Sequence, residues 1–573
     1  MPRRDPARLV LALIAAAALS ATVGAHAPTA AAVAPATHAA APTDGWVGAG
    51  TVKAPGGPYL TDQFGRDLQL HGANLVAKCG GGSVDMPVPG TPCVGPAAGP
   101  RLAYVLSPDA ADPGRRFTAA DAHTLAELGF NVVRLGIIWE GLEPGPANAH
   151  INDPHYCAAH KPGTPFPNLA RGTDPYNPAT VRAYLARTDR IVSLLAHAGL
   201  RVIVDMHSDA YGSAFFNTKG MTPWNGEGAP LWATCTGGAH FRPSPGWGTF
   251  WLLHPIQVAM HHFFANDVRG DLQGQYARVW QAVARHFRGN PAVLGYELYN
   301  EPNDYLVKNL DAELQCDYGG TIREPKSCAA NHTAALPDGF IGTIQAADPT
   351  HVVFYEPSGN TNFGAPEKIG MTEPLRFPGL VLAYHAYGTI PQELAQVKAE
   401  RAHTRTDQRG GPAWILDEFG ANNHDGVNAK TVDDAEGDDL SWTYWAAIQL
   451  HDPTAGGPHE GLLDPTTRQA YPNQARAMSV PYAWATAGTP GAQSFYRPAQ
   501  TYRYRYTPNP KIKALTEIEI PPYTYPLGYT VKATGARVTS RANAALLTLS
   551  ADRRAKTVSV TVRSLTATPF PTY

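Results

Sequence analysis

Charge is scarce in this sequence. Only 16% of its 573 residues are charged, and the formal net charge is −2. A chain so balanced has no bulk attraction to nucleic acid or to an anionic membrane. It also has no Lys/Arg-rich run of the kind that grips phosphate backbones. Beyond the N-terminus, no apolar run approaches the ~20 residues that a spanning helix needs. Cysteine is sparse as well, six residues in all, with no CxxC pair to suggest zinc. Gly80-Gly81-Gly82 lacks the following Lys-Ser/Thr of a phosphate cradle. No GxSxG elbow points to a serine hydrolase. His261-His262 reads as packing on a helix flank rather than as a metal site.

The N-terminus is a processing signal by pattern. Arg3, Arg4 and Arg8 precede an uncharged apolar stretch, Leu9 to Ala21, and Ala25-His26-Ala27 offers a small-residue cleavage pattern. Residues 1–27 are therefore expected to be a signal peptide, with a retained anchor as the other reading, and the chain to be secreted. Residues 28–43, rich in Ala, Pro and Thr, read as a disordered linker. In an exported chain, an even cysteine count favours disulfides. Cys79–Cys93 and Cys316–Cys328 would each close a short loop, leaving Cys157–Cys235.

From Leu68 to Ile448, short apolar strands alternate with helical stretches. The strands are expected at 67–75, 130–136, 200–206, 293–298, 352–355, 380–384, 414–416 and 442–448, with helices at 119–128, 180–197 and 276–287. Eight strands with helical crossovers in a domain of this length predict a closed (β/α)8 barrel over residues 44–485. The tail changes period. Tyr502 to Tyr506, Ala544 to Leu549 and Val558 to Val562 favour alternation, so 486–573 reads as an antiparallel β-sandwich.

Polar residues gather at the C-terminal ends of the expected barrel strands: His207 and Asp209, Asn300 and Glu301, His385 and Tyr387, and Glu418. That edge holds the active site in barrels of this kind. Two apolar strands end in a glutamate, in Asn300-Glu301-Pro302 and in Glu418-Phe419-Gly420. Two carboxyls about 5–5.5 Å apart are what retaining cleavage of a glycosidic bond requires. One protonates the leaving oxygen and the other attacks the anomeric carbon. A lone strand-end glutamate is more often a salt-bridged loop residue; the pairing of the two motifs makes the catalytic reading the stronger one.

These motifs resemble the acid/base and nucleophile motifs of glycoside hydrolase family 5, clan A, in order and in spacing. More narrowly, the sequence is similar to endoglycoceramidases. Phe130-Asn131-Val132-Val133-Arg134-Leu135 with Trp139 and Glu143-Pro144, Val204-Asp205-Met206-His207-Ser208-Asp209, and Gly228-Ala229-Pro230-Leu231-Trp232-Ala233-Thr234 carry that likeness. The resemblance implies Glu301 as acid/base and Glu418 as nucleophile. It implies Asn300 on the sugar 2-OH, with His207 and Asp209 lining the same subsite. Tyr387 would hydrogen-bond the nucleophile beside His385, while strand alternation points Tyr384 the other way, into the core. Arg134 would hold Glu418 ionised. Trp445 would form a platform under the sugar, with a core role the other reading, and Lys78 would bind sugar.

The implied substrate is a β-linked glycan on a lipid, with no metal or cofactor, no nucleic acid, transient contact with lipid surfaces, and a monomeric enzyme. Phe215, Phe216, Met221, Trp224, Trp247, Phe250, Trp251, Leu252 and Leu253 could form an apolar wall for the lipid, with ordinary barrel-helix packing as the other reading. Ser208, where the family has Gln, the Cys79–Cys93 region and the insertion at 157–177 depart from the pattern near the mouth, and bear on substrate rather than reaction. The same chemistry on a steryl, flavonoid or oligosaccharide glycoside is one rival, and a non-catalytic carbohydrate-binding scaffold is another.

Overall fold

Glu301 and Glu418 can share one mouth only if the strands that carry them close into a ring, and they do. The computed structural model describes residues 52–55, 59–77, 106–110, 116–161, 164–169, 172–215, 227–239, 254–304, 306, 310–320, 336, 338–363, 375–387, 412–420, 425–448 and 461–566. Eight parallel strands form a closed barrel. They are β1 (His71–Val76), β2 (Val132–Ile137), β3 (Arg201–Met206), β4 (Val293–Glu297), β5 (Val352–Tyr355), β6 (Leu380–Ala386), β7 (Ala413–Phe419) and β8 (Ser441–Tyr444). β8 pairs with β1 through Trp442–His71 and closes the ring.

The strands are buried on both faces, so each reads as an almost continuous apolar run. The crossovers start and stop where local chemistry dictates. Thr118 caps the helix Ala119–Glu127 through a reciprocal capping box with Asp121. Asn177 caps Pro178–His197, with the proline in the first turn, where its missing N–H costs nothing. The helix Leu272–Phe287 begins four residues before its expected start, because Asp271, in a left-handed conformation, caps it.

Along the barrel axis, the interior changes from apolar to polar. Val132, Ile203, Phe354, Val381 and Ile415 fill the lower layers. Two residues further along their strands come Arg134, Asp205, Glu356 and Asp417, all buried. The two-residue period of a strand sends each of them the same way. One irregularity matters: Tyr384 pairs with Leu416, but His385 pairs with Glu418. The extra residue in β7 is a bulge, and it brings both Asp417 and Glu418 to the axis. Gly420 then turns with φ +113°, and a Cβ there would sit 2.3 Å from the Tyr444 ring. The glycine of Glu418-Phe419-Gly420 is thus required sterically.

The C-terminal part is an antiparallel sandwich. One sheet is ordered Leu60–Thr61, Asp67–Leu68, β9 (Tyr482–Thr486), β12 (Thr516–Glu519), β15 (Leu546–Ala551) and β14 (Ala536–Val538). The other is ordered β10 (Gly488–Tyr496), β11 (Thr501–Pro508), β16 (Val558–Ser564) and β13 (Tyr529–Thr534). The stretch expected as a single strand at 67–75 is divided: Asp67–Leu68 pairs with β9 of the sandwich, and His71–Val76 enters the barrel. The N-terminal strands thereby tie the two parts together. Of the expected disulfides, Cys157–Cys235 is formed; Cys79, Cys93 and Cys328 lie outside the described residues.

Candidate active site

Glu301 and Glu418 face each other at the C-terminal mouth. A carboxylate oxygen from each, with a ring nitrogen of His385, lies within 4.8 Å of the others. His385 Nδ1 is 2.8 Å from Glu301 Oε1 and 3.4 Å from Glu418 Oε2. Asn362 Nδ2 donates to Glu301 Oε1 at 2.6 Å. Tyr387 Oη donates to Glu418 Oε2 at 2.7 Å, and Arg134 Nη1 holds Glu418 Oε1 at 2.5 Å. Glu301 is 9% and Glu418 4% exposed, so each carboxylate retains a small open edge.

Arg134 organises what lies beneath. Its Nε and Nη2 take the two oxygens of Glu297 at 2.8 and 2.6 Å, a fork that fixes the guanidinium plane. Nη2 also donates to Asn300 Oδ1 at 2.7 Å, and the Asn300 amide donates to the Ser208 carbonyl at 3.0 Å. Glu356 bridges the two halves of the site. Its Oε1 is 3.1 Å from Arg134 Nη2 and 3.4 Å from His385 Nε2. Its Oε2 accepts the Glu301 backbone N–H at 2.9 Å. That contact falls on a non-glycine residue with φ +52°, a conformation that needs outside support.

The electrostatics follow from burying more acids than cations. Burial pushes Glu418 up from the ordinary carboxylate value; His385 and Arg134 pull it back without overcoming burial. The Arg134 contact expected from sequence is present, but desolvation outweighs the cation. Glu297 goes the other way: burial opposes it, yet the Arg134 charge and hydrogen bonds bring it down to about 2. Burial raises Glu356 to about 8 and raises Asp417 well above its usual range. His385 is desolvated, yet the charges of Glu356 and Glu418 and the Glu301 hydrogen bond lift it well above an ordinary histidine. Among the described residues, three groups have metal-ligand proximity: Glu297/Glu356/His385/Asp417, His207/Asp209/Glu227 and Glu301/His385/Glu418. Arg134 already sits among the carboxylates of the first, with Asp417 Oδ2 3.4 Å from its Nε. A guanidinium there supplies the positive charge that a metal would bring.

On the other wall, His207 donates or accepts at Nδ1 with Asp205 Oδ2, 2.9 Å away, and its Nε2 is 3.9 Å from both Asp209 and Glu227. Burial would lower its pKa, but the hydrogen bonds and charges of Asp205 and Asp209 raise it to about 10. The Trp445 ring stacks on His207 with centroids 5.3 Å apart and 12° between planes. Trp445 is 3% exposed, so it backs the histidine more than it presents an open platform. Tyr384 is fully buried and stacks on Trp414, as strand alternation predicts. His261 and His262 lie on the helix His254–Ala265, each paired with an aspartate, Asp304 and Asp267. Lys78 and the expected apolar wall lie outside the described residues, except Phe215, which is fully buried.

Sequence reasoning missed Glu297, Glu356, Asn362 and Glu227. Glu356 carried a signal: Glu356-Pro357 follows an apolar strand just as Glu301-Pro302 does. Glu227 comes to His207 through a loop bridge to Asp209, which no local pattern announces.

A closed parallel barrel with two facing carboxylates at its C-terminal mouth is the arrangement of a glycoside hydrolase. The chain belongs to glycosyl hydrolase family 5: the sequence profile "Cellulase (glycosyl hydrolase family 5)" matches residues 112–450, and the glycoside hydrolase family 5 C-terminal domain matches 481–563. Endoglycoceramidase I of Rhodococcus hoagii (strain 103S) is 25% identical over 515 residues, 87% of this chain and 85% of its own. An endoglycoceramidase of Cyanea nozakii is 25% identical over 319 residues, 52% of this chain and 49% of its own. The fold is shared with the lactosyl-enzyme intermediate of endo-glycoceramidase II from Rhodococcus sp., at TM-score 0.61 and 24% identity, covering 89% of this chain and 100% of that one.

Proposed function

We propose that this chain is a retaining β-glycosidase that releases a glycan from a lipid aglycone, as its endoglycoceramidase relatives are named for doing. The observation that carries the reaction is the approach of Glu301 and Glu418 to within 4.8 Å. So close an approach of their nearest oxygens suits direct attack, for which the two carboxyls stand about 5–5.5 Å apart, better than the wider separation of about 6.5–9.5 Å that an inverting enzyme uses to seat a water. Glu418 Oε attacks the anomeric carbon, and the C–O bond to the aglycone breaks as Glu301 delivers its proton to the leaving oxygen. Glu301 then takes a proton from water, which attacks the glycosyl-enzyme and restores Glu418. No metal or cofactor is needed for these steps.

The remaining residues position these two. Arg134 and Tyr387 fix the Glu418 carboxylate, and Arg134 and Ser208 orient Asn300, whose second amide N–H is suited to the sugar 2-OH. His207 and Asp209 line the sugar side, with Trp445 behind them. Both glutamates come from one chain, so the catalytic pair is complete without a second subunit. Residues 1–27 would export it. Incubation with a panel of glycosphingolipids and soluble aryl glycosides tests the reading. Intact glycan released from ceramide supports it, whereas release of single sugars from soluble glycosides alone would replace the lipid substrate with a smaller aglycone.

A further inference from the structure

The whole-chain charge of −2 conceals a division. Residues 481–563 hold twelve Lys and Arg against three Asp and Glu, a formal +9, so the remainder of the chain is at −11. Two of those three acids are buried, Glu517 against Arg66 at 3.0 Å and Glu519 at 4% exposure, leaving Asp552 as the exposed one. Of the twelve cations, Arg497 is buried and paired with Asp433, and the other eleven are exposed, so the excess positive charge of this domain is on its surface.

The strand register shows where part of it lies. Directly paired residues in antiparallel strands point to the same face. Ser494 pairs with Arg503, Arg503 with Thr561, and Thr561 with Lys532. One row away, Tyr496 pairs with Thr501, Thr501 with Arg563, and Arg563 with Thr530. On the other side, Arg505 pairs with Ser559, and Ser559 with Thr534. The intervening rows, with Tyr502, Tyr504, Val560 and Val562, are buried. The outer face of the four-stranded sheet thus carries Arg503, Arg505, Lys532 and Arg563, all exposed, and no acid among its paired residues.

One end of this face is apolar. Among the described residues, five large hydrophobic side chains are prominently exposed, and three belong here: Tyr496 at 57%, Leu527 at 67% and Leu565 at 52%. Tyr496 is in the Arg563 row, and the Leu565 N–H bonds to the Gly528 carbonyl, beside Leu527. An aromatic and two leucines beside a cationic sheet are the chemistry of a surface that meets lipid headgroups, with the apolar residues entering the acyl boundary and the cations drawn to anionic lipid.

We propose that the outer face of the β10–β11–β16–β13 sheet docks the enzyme on an anionic lipid bilayer. The choice of lipid over another polyanion rests on the glycolipid reading above and on the exposed Tyr496, Leu527 and Leu565, which a soluble polyanion would not require.

The test is co-sedimentation of the full chain with glycolipid-free vesicles of phosphatidylcholine, with and without phosphatidylserine. Because these vesicles hold no substrate, failed docking and failed glycolipid hydrolysis are separate results. Binding is expected only with phosphatidylserine, and to weaken in high salt. Each neutralised cation is expected to reduce partitioning about fivefold, so a variant combining Arg503→Gln, Arg505→Gln, Lys532→Gln and Arg563→Gln should stay in the supernatant. Its turnover of a soluble aryl glycoside should match wild type, which also shows that it folds. Leu527→Ser with Leu565→Ser should weaken binding with every charge retained. Wild type that stays in the supernatant, a charge variant that sediments like wild type, or retention on a sulfated polysaccharide without vesicle binding would each overturn the proposal.

Discussion

The Glu301 backbone N–H donates to Glu356 Oε2 at 2.9 Å, and through the same carboxyl Glu356 meets Arg134 and His385. Glu356 thus touches both the backbone of one glutamate and the cation that holds the other. Glu356→Ala would leave a buried N–H unpaired under a left-handed residue, at a stability cost of about 1–3 kcal/mol. It would also let the acid/base drift, and an ångström of misplacement costs about a hundredfold in turnover. Glu356→Gln keeps an oxygen acceptor in place and should recover most of the rate. Turnover and KM for a soluble glycoside, measured for both variants, check this. Equal losses in the two would rule out the positioning role.

The two glutamates should fail differently. Glu418→Ala removes the attacking group, so turnover should collapse for every substrate regardless of its leaving group. Glu301→Ala removes a proton donor, a contribution of about 10²–10⁴. An aryl glycoside whose phenolate leaves without help needs no proton, so Glu301→Ala should retain far more activity there than on a lipid alcohol glycoside. Rates across a series of leaving groups show this as a steep dependence on leaving-group acidity in Glu301→Ala. A flat dependence there would reverse the assignment of acid and nucleophile.

Much of the barrel was legible because parallel strands buried on both faces leave uninterrupted apolar runs, and Val352–Tyr355 matches its expected span. The division of 67–75 was not legible, since Asp67–Leu68 pairs with Tyr482–Thr486, more than four hundred residues away. At the site, strand-end residues such as Glu301, His207 and His385 announced themselves by standing where apolar runs stop. Glu297 and Asp417 lie inside strands and look like ordinary alternation; their place around Arg134 depends on ring closure and on the bulge opposite His385. The cationic sheet escaped notice because a whole-chain balance averages two domains of opposite sign.

Buried proton binding sets the pH dependence of stability. Glu356 is at about 8 in the fold against an ordinary 4.5, so the folded chain holds a proton that the unfolded chain has released. Its contribution is fully present below pH 4.5 and is lost as pH rises through about 8. His207, at about 10 against 6.5, has the same sign: its contribution is present below 6.5 and lost as pH rises through about 10. Glu297, at about 2 against 4.5, has the opposite sign and matters only in acid. Thermal midpoints should therefore fall from pH 5 towards 9. In Glu356→Gln, the slope between 5 and 8 should be shallower. Parallel midpoint curves for wild type and variant would exclude Glu356 as the group responsible.

The barrel and sandwich should unfold together, because their contact is built from the first barrel strand. The His71 ring lies 4.4 Å from that of Trp442 and 3.5 Å from that of Tyr482, and His71 Nε2 pairs with Glu436 at 2.7 Å. Tyr482 belongs to the sandwich, yet its hydroxyl donates to the Gly129 carbonyl at 2.9 Å, at a turn of the barrel. Tyr482→Ala would empty an aromatic-sized space and orphan that carbonyl, costing about 3–5 kcal/mol. The contact is at the opposite end of the strands from Glu301 and Glu418, so turnover well below the melting temperature should be unchanged. Calorimetry of wild type should give one transition whose calorimetric and van't Hoff enthalpies agree. Tyr482→Ala should lower that transition by several degrees, whereas two resolved transitions in wild type would mean that this contact does not couple the domains.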